Sequence, residues 1–445
     1  GGARGGAGGK ADDLAECGDG RVCLDFASYE VLFTNPVCEL YEYAEPVAKA
    51  GGTGEVTAKP KNVYCTNDDS AASGARETSL QFRLVEWIEA LGADDEIFLA
   101  YLSYSNPVVG TALCDAIGRG AEVTMVLDAP STRSAELEAC GGTVLLRGHQ
   151  GSIEFAHDKF LLINPDGDSE TMKMSFSSGN MSSGAVLHHE NWHFIDVARA
   201  SFFAEAHRCL REALVDPDHT DGKGNFREFM NSCRAAITFP PEDDIRPFFI
   251  PALDDSRGIT TLLVERVGLA ATVDIGVHRF GLSELVDALD ARLTDGSGFR
   301  ARLIADDDLY WLNPLVGEGA VVGSNLEFEA DNVAQLAATG GDFAVKYLET
   351  NQQLHLLHHN KFLILKGMEE HPDAVICGAA NLTGTGFDTN LENIYYVEIP
   401  AVVEAFEKQF ARFWDGEKGS PDEDEPPRAT APEDMPAENI PLPAP

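Results

Sequence analysis

A chain of 445 residues is too long for one ordinary core, so two domains or two large halves are expected. It carries 33 basic and 73 acidic residues, a formal charge of −40, which repels polyanions at long range and argues against a protein that grips long nucleic acid. An apolar fraction of 44% is ordinary for a globular protein, and no apolar run approaches the ~20 residues that span a bilayer, so a soluble chain is expected. The chain opens on Gly1 rather than Met, as a processed or truncated form would.

Taken in order, residues 1–15 are Gly-rich and expected to be disordered. Gly5 to Lys10 is not a phosphate loop, because Arg4 stands where the first Gly is needed and Ala11 follows the Lys. Residues 16–75 read as irregular. They hold Cys17, Cys23, Cys38 and Cys65, whose clustering suggests disulfides and an oxidising compartment. The other five cysteines fall in globular stretches and read as buried thiols where the pattern around them is apolar. Leu80, Leu84, Val85, Ile88 and Leu91 recur at helical spacing. A buried strand is expected at 96–102, a helix after Asn106-Pro107, and strands at 122–127, 143–146, 172–176 and 192–197. A helix at 200–214 closes this part, and 216–241 reads as a connector.

The order then repeats. Helices are expected at 258–269 and 282–293, and strands at 271–277, 299–304, near Val345, at 374–377 and at 394–397. Residues 306–340 read as an irregular or helical insertion that opens on a solvated acidic run, Asp306 to Asp308. A helix at 402–414 ends the fold, and the Pro- and Glu-rich residues 416–445 read as a disordered tail. Strands alternating with helices place both parts in the α/β class.

The repetition extends to polar residues. His157-Asp158-Lys159 precedes one buried strand, and His359-Asn360-Lys361 precedes another. Ser178-Gly179-Asn180 follows the first, and Ala379-Ala380-Asn381 the second. Glu190-Asn191 is matched by Glu392-Asn393, and the His-to-Glu separation is 33 in both copies (157 to 190, 359 to 392). A lone His-x-Lys would be a solvated strand edge; two copies with Asn and Glu at matching distances are a specific signal. Each copy offers an imidazole, an ammonium and a carboxamide, a set suited to a phosphodiester. Lys159, Lys361, Asn180 and Asn381 can donate to non-bridging phosphate oxygens where charge develops. One His can attack phosphorus while the other protonates the leaving alkoxide and then activates water or an alcohol. Glu190 and Glu392 are the candidates to hold the rings in the required tautomer. Lysines and amides supply the electrostatics, so no metal or cofactor is expected.

Over roughly residues 78–415 these paired segments resemble the phospholipase D superfamily, whose signature is two H-x-K-x-x-x-x-D copies, each followed by a G-S-x-N type segment. The resemblance implies a duplicated phospholipase D-like fold: two α/β/α halves with pseudo-twofold symmetry and one active site at their interface. It implies His157 as nucleophile, His359 as acid/base, and Lys159, Lys361, Asn180 and Asn381 as phosphate ligands. Ser178 matches the family's Ser and is expected to bind substrate, as are His189 and His358 beside it in the cleft. Ala379 replaces the second Ser, and Asn164 and Lys366 stand where the family has Asp, with Asp166 or Asp168 as substitutes in the first half.

The expected organisation is therefore an N-terminal extension (1–75), two halves (76–235 and 236–415) and a tail (416–445). The expected function is metal-independent hydrolysis or transfer on a phospholipid through a phosphohistidine. A nuclease-like phosphodiesterase and an inactive phosphate- or lipid-binding module are the alternatives. The expected partners are a phospholipid or other phosphodiester and a membrane surface, with no long nucleic acid, for a monomer that is secreted or periplasmic.

Overall fold

Strands that are apolar on every residue need cover on both faces, and the two runs behind the His-x-Lys segments receive it. Phe160 and Leu162 pack into a central core, while Leu161 and Ile163 face an outer one. Phe362 and Ile364 enter the same central core, while Leu363 and Leu365 face a second outer one. The computed structural model describes residues 20–36, 39–42, 47–48, 55–56, 61–64, 67–251, 258–310, 326–348, 357–416 and 429–434. Within them the chain forms two large mixed sheets.

The first half contains β1 (Phe26–Phe33), α1 (Leu80–Glu89), β2 (Glu96–Tyr101), α2 (Pro107–Gly118), β3 (Glu122–Leu127), α3 (Thr132–Ala139) and β4 (Thr143–Leu146). It continues with β5 (Lys159–Ile163), β6 (Thr171–Ser177), β7 (Asn191–Ala198), α4 (Phe202–Val215) and α5 (Lys223–Ala236). The second half contains β8 (Ile245–Ile250), α6 (Gly258–Leu269), β9 (Thr272–Val277), α7 (Ser283–Thr294), β10 (Arg300–Asp306), α8 (Leu326–Ala338) and β11 (Asp342–Leu348). It ends with β12 (Lys361–Lys366), β13 (Ala374–Gly378), β14 (Glu392–Val397), α9 (Pro400–Asp415) and β15 (Ala429–Thr430). The first sheet runs β1-β7-β6-β5-β2-β3-β4, and the second runs β8-β14-β13-β12-β9-β10-β11 with β15 added at its edge. Strand for strand the two orders coincide, which is the duplication expressed as topology. The protein is a duplicated α/β fold.

Helix starts are locally encoded. Asn106 accepts from the Val108 and Val109 N–H groups (3.0 and 3.1 Å) ahead of Pro107 in α2, and Ser201 accepts from Ala204 N (3.1 Å) in α4. The outer helices cover one face of each sheet. The inner faces meet around α4 and α9, and each of these helices packs on the other half's edge strand: α4 against β8, α9 against β1. Phe33 meets Phe406 edge-on at 5.1 Å, and His207 meets Phe249 at 5.2 Å. Tyr395 lies stacked 3.6 Å from Phe176 between the two sheets.

Several expectations need correction. Residues 26–33, expected to be irregular, form β1 and pair antiparallel with β7, because the edge of β7 would otherwise leave its backbone groups unpaired. The connector contains α5, whose Phe226 and Met230 enter the central core. Helix α3, unread in the sequence, carries only Ser134 and Leu137 as buried residues, too few to produce an apolar period. Four of the cysteines in the globular stretches, whose pairing the sequence left open, form disulfides: Cys114–Cys140 joins α2 to the end of α3, and Cys209–Cys233 joins α4 to α5. Cys23 is disulfide-bonded as well, and Cys377 is a buried free thiol. Cys17, Cys38, Cys65, residues 1–15 and all of the tail but 416 and 429–434 lie outside the described residues.

Two predictions follow from this core. Sequence separations of 26 and 24 make each disulfide worth about 3–4 kcal/mol by loop-closure entropy. The double variant Cys209→Ser/Cys233→Ser should lose roughly that much in equilibrium urea unfolding. Burial also holds two core imidazoles neutral: His193 falls from 6.5 to about 3 and His207 to about 4. The folded value lies below the unfolded one, so on acidification the unfolded chain takes the proton first. Stability present above pH 6.5 is then lost toward the folded value, at ~1.4 kcal/mol per pH unit per ring. The urea midpoint should fall between pH 7 and 5, and His207→Gln should flatten that fall by about one proton; an unchanged slope would contradict it.

Candidate active site

All the repeated polar residues come from one edge of each sheet. His157 lies two residues before β5, Asn180 follows β6 and Glu190 immediately precedes β7. Their mates His359 and Asn381 take the same places around β12 and β13, and Glu392 opens β14. In both sheets this is the edge at which the parallel strands end, where ligands of open α/β sheets bind.

The two edges are sewn together by backbone. His157 N donates to Leu391 O (2.9 Å) and Leu391 N to Phe155 O (2.8 Å). His189 N donates to Leu357 O (2.8 Å) and His359 N to His189 O (3.0 Å). Each His-x-Lys segment thus runs beside the segment that leads to the other half's Glu. The side chains cross in the same way. His157 Nδ1 lies 2.7 Å from Glu392 Oε2, and His359 Nδ1 lies 2.7 Å from Glu190 Oε1. Asn393 Oδ1 accepts from Lys159 N (2.7 Å), and Asn191 Nδ2 donates to Asn360 Oδ1 (3.0 Å). With Nδ1–H given to a carboxylate, each imidazole keeps its lone pair on Nε2.

Burial and nearby charges set the protonation states. Burial raises the Glu392 carboxyl to about 8, against the pull of Lys159, Asn390 and Lys361 toward the ionised form. Burial, then Lys159 and Lys361, hold His157 well below its usual value. Burial and Lys361 do the same to His359. Lys159 Nζ sits 3.1 Å from each His157 ring nitrogen and donates to His157 O (2.9 Å). Lys361 Nζ donates to His359 O (2.6 Å) and Ser178 O (3.3 Å). Burial lowers Lys159 to about 8 and Lys361 well below the lysine range. Two lysine Nζ groups confined in one site favour an anion between them. The Asn180 and Asn381 side-chain oxygens are buried and unpartnered among the described residues.

His157, Lys159 and Glu392 come together, as do His359, Lys361 and Glu190, with Asn180 and Asn381 at the same sheet edges; of the three expected substrate contacts, Ser178 joins the site as a support and His189 and His358 do not join it. Ser178 Oγ donates to Glu190 Oε2 (2.6 Å) and accepts from Asn191 N (2.9 Å), so it holds the carboxylate that orients His359. Where Ala379 replaces it, Asn390 Nδ2 donates to Glu392 Oε1 (2.9 Å) instead. His189 and His358 are buried, and both rings meet Phe413 edge-on at 5.4 and 5.5 Å. They alternate along extended backbone with Glu190 and His359, so they face away from the site.

The positions that break the family pattern are structural. Asn164 adopts φ 50°, accepts from Glu96 N (2.7 Å) and donates to Asp95 Oδ1 (2.7 Å). Lys366 pairs with Glu407. Asp166 pairs with Arg208 and Arg211 on the surface and does not stand in for the motif Asp. Asp306 and Asp307, expected in a solvated loop, are buried, and Asp306 Oδ2 accepts from His358 N (2.7 Å).

Sequence reasoning missed His278, whose ring centroid is 5.0 Å from that of His359. It also gave no role to Asn191 and Asn393, although each adjoins a repeated Glu, or to Asn390, which precedes Glu392 by two. Asp158 is buried with both oxygens unpartnered among the described residues, and burial and Glu392 raise its carboxyl well above the usual range. Its mate in the repeat is the neutral Asn360.

Comparison with known proteins gives matches to a family model, a relative and solved structures. Residues 270–414 match the family model described as cardiolipin synthase, phospholipase D-like domain. The chain is 27% identical over 190 residues to the mitochondrial cardiolipin hydrolase of Xenopus laevis, covering 41% of this chain and 77% of that protein. Polyphosphate kinase from Porphyromonas gingivalis aligns with a TM-score of 0.49 at 15% identity, over 78% of this chain. The chain spans only 51% of that kinase. Yeast tyrosyl-DNA phosphodiesterase aligns with a TM-score of 0.42 at 11% identity, over 71% of this chain and 86% of that one.

The support given to Glu190 generates a prediction. Ser178→Ala, which copies Ala379, should lower kcat about tenfold by removing one hydrogen bond to a carboxylate, with KM unchanged. Glu190→Gln should lower it ~10²–10⁴-fold. A raised KM with unchanged kcat in Ser178→Ala would instead make it a substrate contact.

Proposed function

The chain belongs to the phospholipase D superfamily, and from that premise we propose that it is a metal-independent phosphodiesterase acting on a phospholipid through a phosphohistidine intermediate. The observation that carries this reading is the crossed pair of imidazole–carboxylate contacts, His157–Glu392 and His359–Glu190. Each fixes a ring with Nδ1 occupied and Nε2 available, which is what nucleophilic and acid–base roles at one phosphorus require.

In the proposed cycle a substrate monoanion binds between Lys159 and Lys361 and adds one negative charge to the site. That charge favours a proton on His359 Nε2. His157 Nε2 attacks phosphorus, forming a P–N bond as the P–O bond to the leaving group breaks. His359 gives its Nε2 proton to the departing alkoxide. The same nitrogen then takes a proton from water, the oxygen attacks phosphorus, the P–N bond breaks and His157 is regenerated. Lys159, Lys361, Asn180 and Asn381 donate to the non-bridging oxygens throughout. The assignment of attack to His157 follows the family's order.

Two considerations support lipid as substrate. The names of the matching domain family and of the amphibian relative point to cardiolipin and thus to phosphatidylglycerol chemistry. The charge of −40 disfavours a long polyanion. Among the described residues no helix is long and apolar enough to cross a membrane, so contact with a lipid surface is proposed to be peripheral. The disulfides Cys114–Cys140 and Cys209–Cys233 support action in an oxidising compartment.

Turnover should survive excess EDTA. Quenching a reaction with ³²P-labelled phosphatidylglycerol should leave label on His157, and His157→Ala should abolish turnover. Label on His359 would reverse the two roles. Tested beside cardiolipin, phosphatidylcholine and single-stranded DNA, the glycerol lipids should be cleaved fastest; preferential cleavage of DNA would sink the lipid reading.

A further inference from the structure

The repeat is broken at one point beside the site. Position 188 precedes Glu190 by two residues and position 390 precedes Glu392 by two; the first is His and the second Asn. Asn390 simply donates to its carboxylate. His188 instead aims an imidazole at Glu190, with Nδ1 3.6 Å from Oε1, and its side chain stays 15% exposed. Gly184 makes room for that rotamer, since a Cβ there would come within 2.4 Å of His188 Nδ1. The rings of His188 and His359 are 5.6 Å apart by centroid. One donor atom from each of His188, Glu190 and His359 lies within 4.8 Å of the other two.

A further imidazole adjoins this group. His278 is buried beside His359, and neither ring nitrogen has a partner among the described residues. The first half has no counterpart. Tyr101 pairs with Lys159 as Val277 pairs with Lys361, so the residue equivalent to His278 is Leu102. The donors therefore gather around His359 only.

Imidazoles with one carboxylate are the donor set of zinc and its neighbours, while calcium and magnesium take oxygen donors. Lys361 donates to His359 O (2.6 Å) and Arg279 to His278 O (3.4 Å), which places positive charge nearby. That charge disfavours ions held by electrostatics and leaves those held by strong metal–nitrogen bonds.

We propose that His188, Glu190 and His359 form a site for a divalent transition-metal ion of the zinc class, and that an ion bound there switches the enzyme off. Ligation replaces the Nδ1–H contact of His359 with Glu190. The ring proton moves from Nδ1 to Nε2, and none is released. The ring then has no lone pair at Nε2 and cannot take a proton from water. His157, flanked by Glu392 and Asn390, stays unligated. The switch rests on the reading of His359 as the proton carrier; the ion site itself does not.

The test uses untagged full-length protein stripped with EDTA and dialysed. Zinc chloride is titrated by calorimetry and cobalt chloride by visible absorption, alongside turnover of a p-nitrophenyl phosphodiester. The expected result is one ion per chain, visible cobalt bands, turnover falling in step with occupancy and recovering with EDTA, and no inhibition by magnesium. His188→Asn, which copies Asn390, should keep basal turnover within about twofold and weaken zinc binding and inhibition at least about tenfold. No bound ion in the wild type, or undiminished binding in His188→Asn, overturns the site. An ion lost in His188→Asn that leaves wild-type turnover unchanged overturns the switch. Failure of the catalytic reading is separate: the metal-free enzyme would be inactive on every phosphodiester while still binding the ion.

Discussion

Each imidazole of the site is held by a carboxylate that belongs to the other half of the chain. His157 depends on Glu392 and His359 on Glu190, at 2.7 Å each. Neither half is complete, because a half alone would hold a carboxylate without its ring and a ring without its carboxylate. The rest of the architecture follows from this need. The two sheet edges must approach closely enough for backbone bonds between the segments at 155–157 and 391, and between those at 189 and 357–359. The inner faces must share one core. Helices α4 and α9 fasten that core by reaching across to the opposite edge strand.

The same crossing explains how several buried charges are tolerated. Isolated ammoniums or carboxylates at these depths would be costly. Here ammonium and carboxylate groups lie close together, with imidazoles held neutral by burial between them. In the proposed cycle a bound phosphodiester adds one negative charge, which favours a proton on the acid–base ring. A buried Asp158 beside this set would add a further negative charge if ionised. Burial and Glu392 raise its carboxyl well above the usual range, and the other half simply carries Asn360 there.

The two halves have diverged most where they support their carboxylates. Glu190 takes a hydroxyl from Ser178, and Glu392 takes an amide from Asn390. The exchange leaves position 188 free to carry a histidine and position 379 free to carry Ala. A pseudo-symmetric site thus acquires two unlike sides, which is a physical route to unlike roles for two imidazoles.

Much of this was legible in the chain. The doubled His-x-Lys, Asn and Glu at matching separations specified the duplication, the α/β class and the eight polar residues of the site, because spacing along a strand edge is a local property. The continuous apolar strands were equally plain, since burial on both faces removes alternation. Strand β1 and helix α3 were not legible, because one is stabilised by pairing with a distant strand and the other buries only Ser134 and Leu137. The disulfides joining α2 to α3 and α4 to α5 were hidden for the same reason. Which carboxylate serves which ring, that Ser178 supports Glu190, and that His189 and His358 turn toward Phe413 were decided by tertiary structure alone. Each depends on how two edges more than 160 residues apart in sequence (190 and 359) face one another, and on which side of an extended segment points into the space between them.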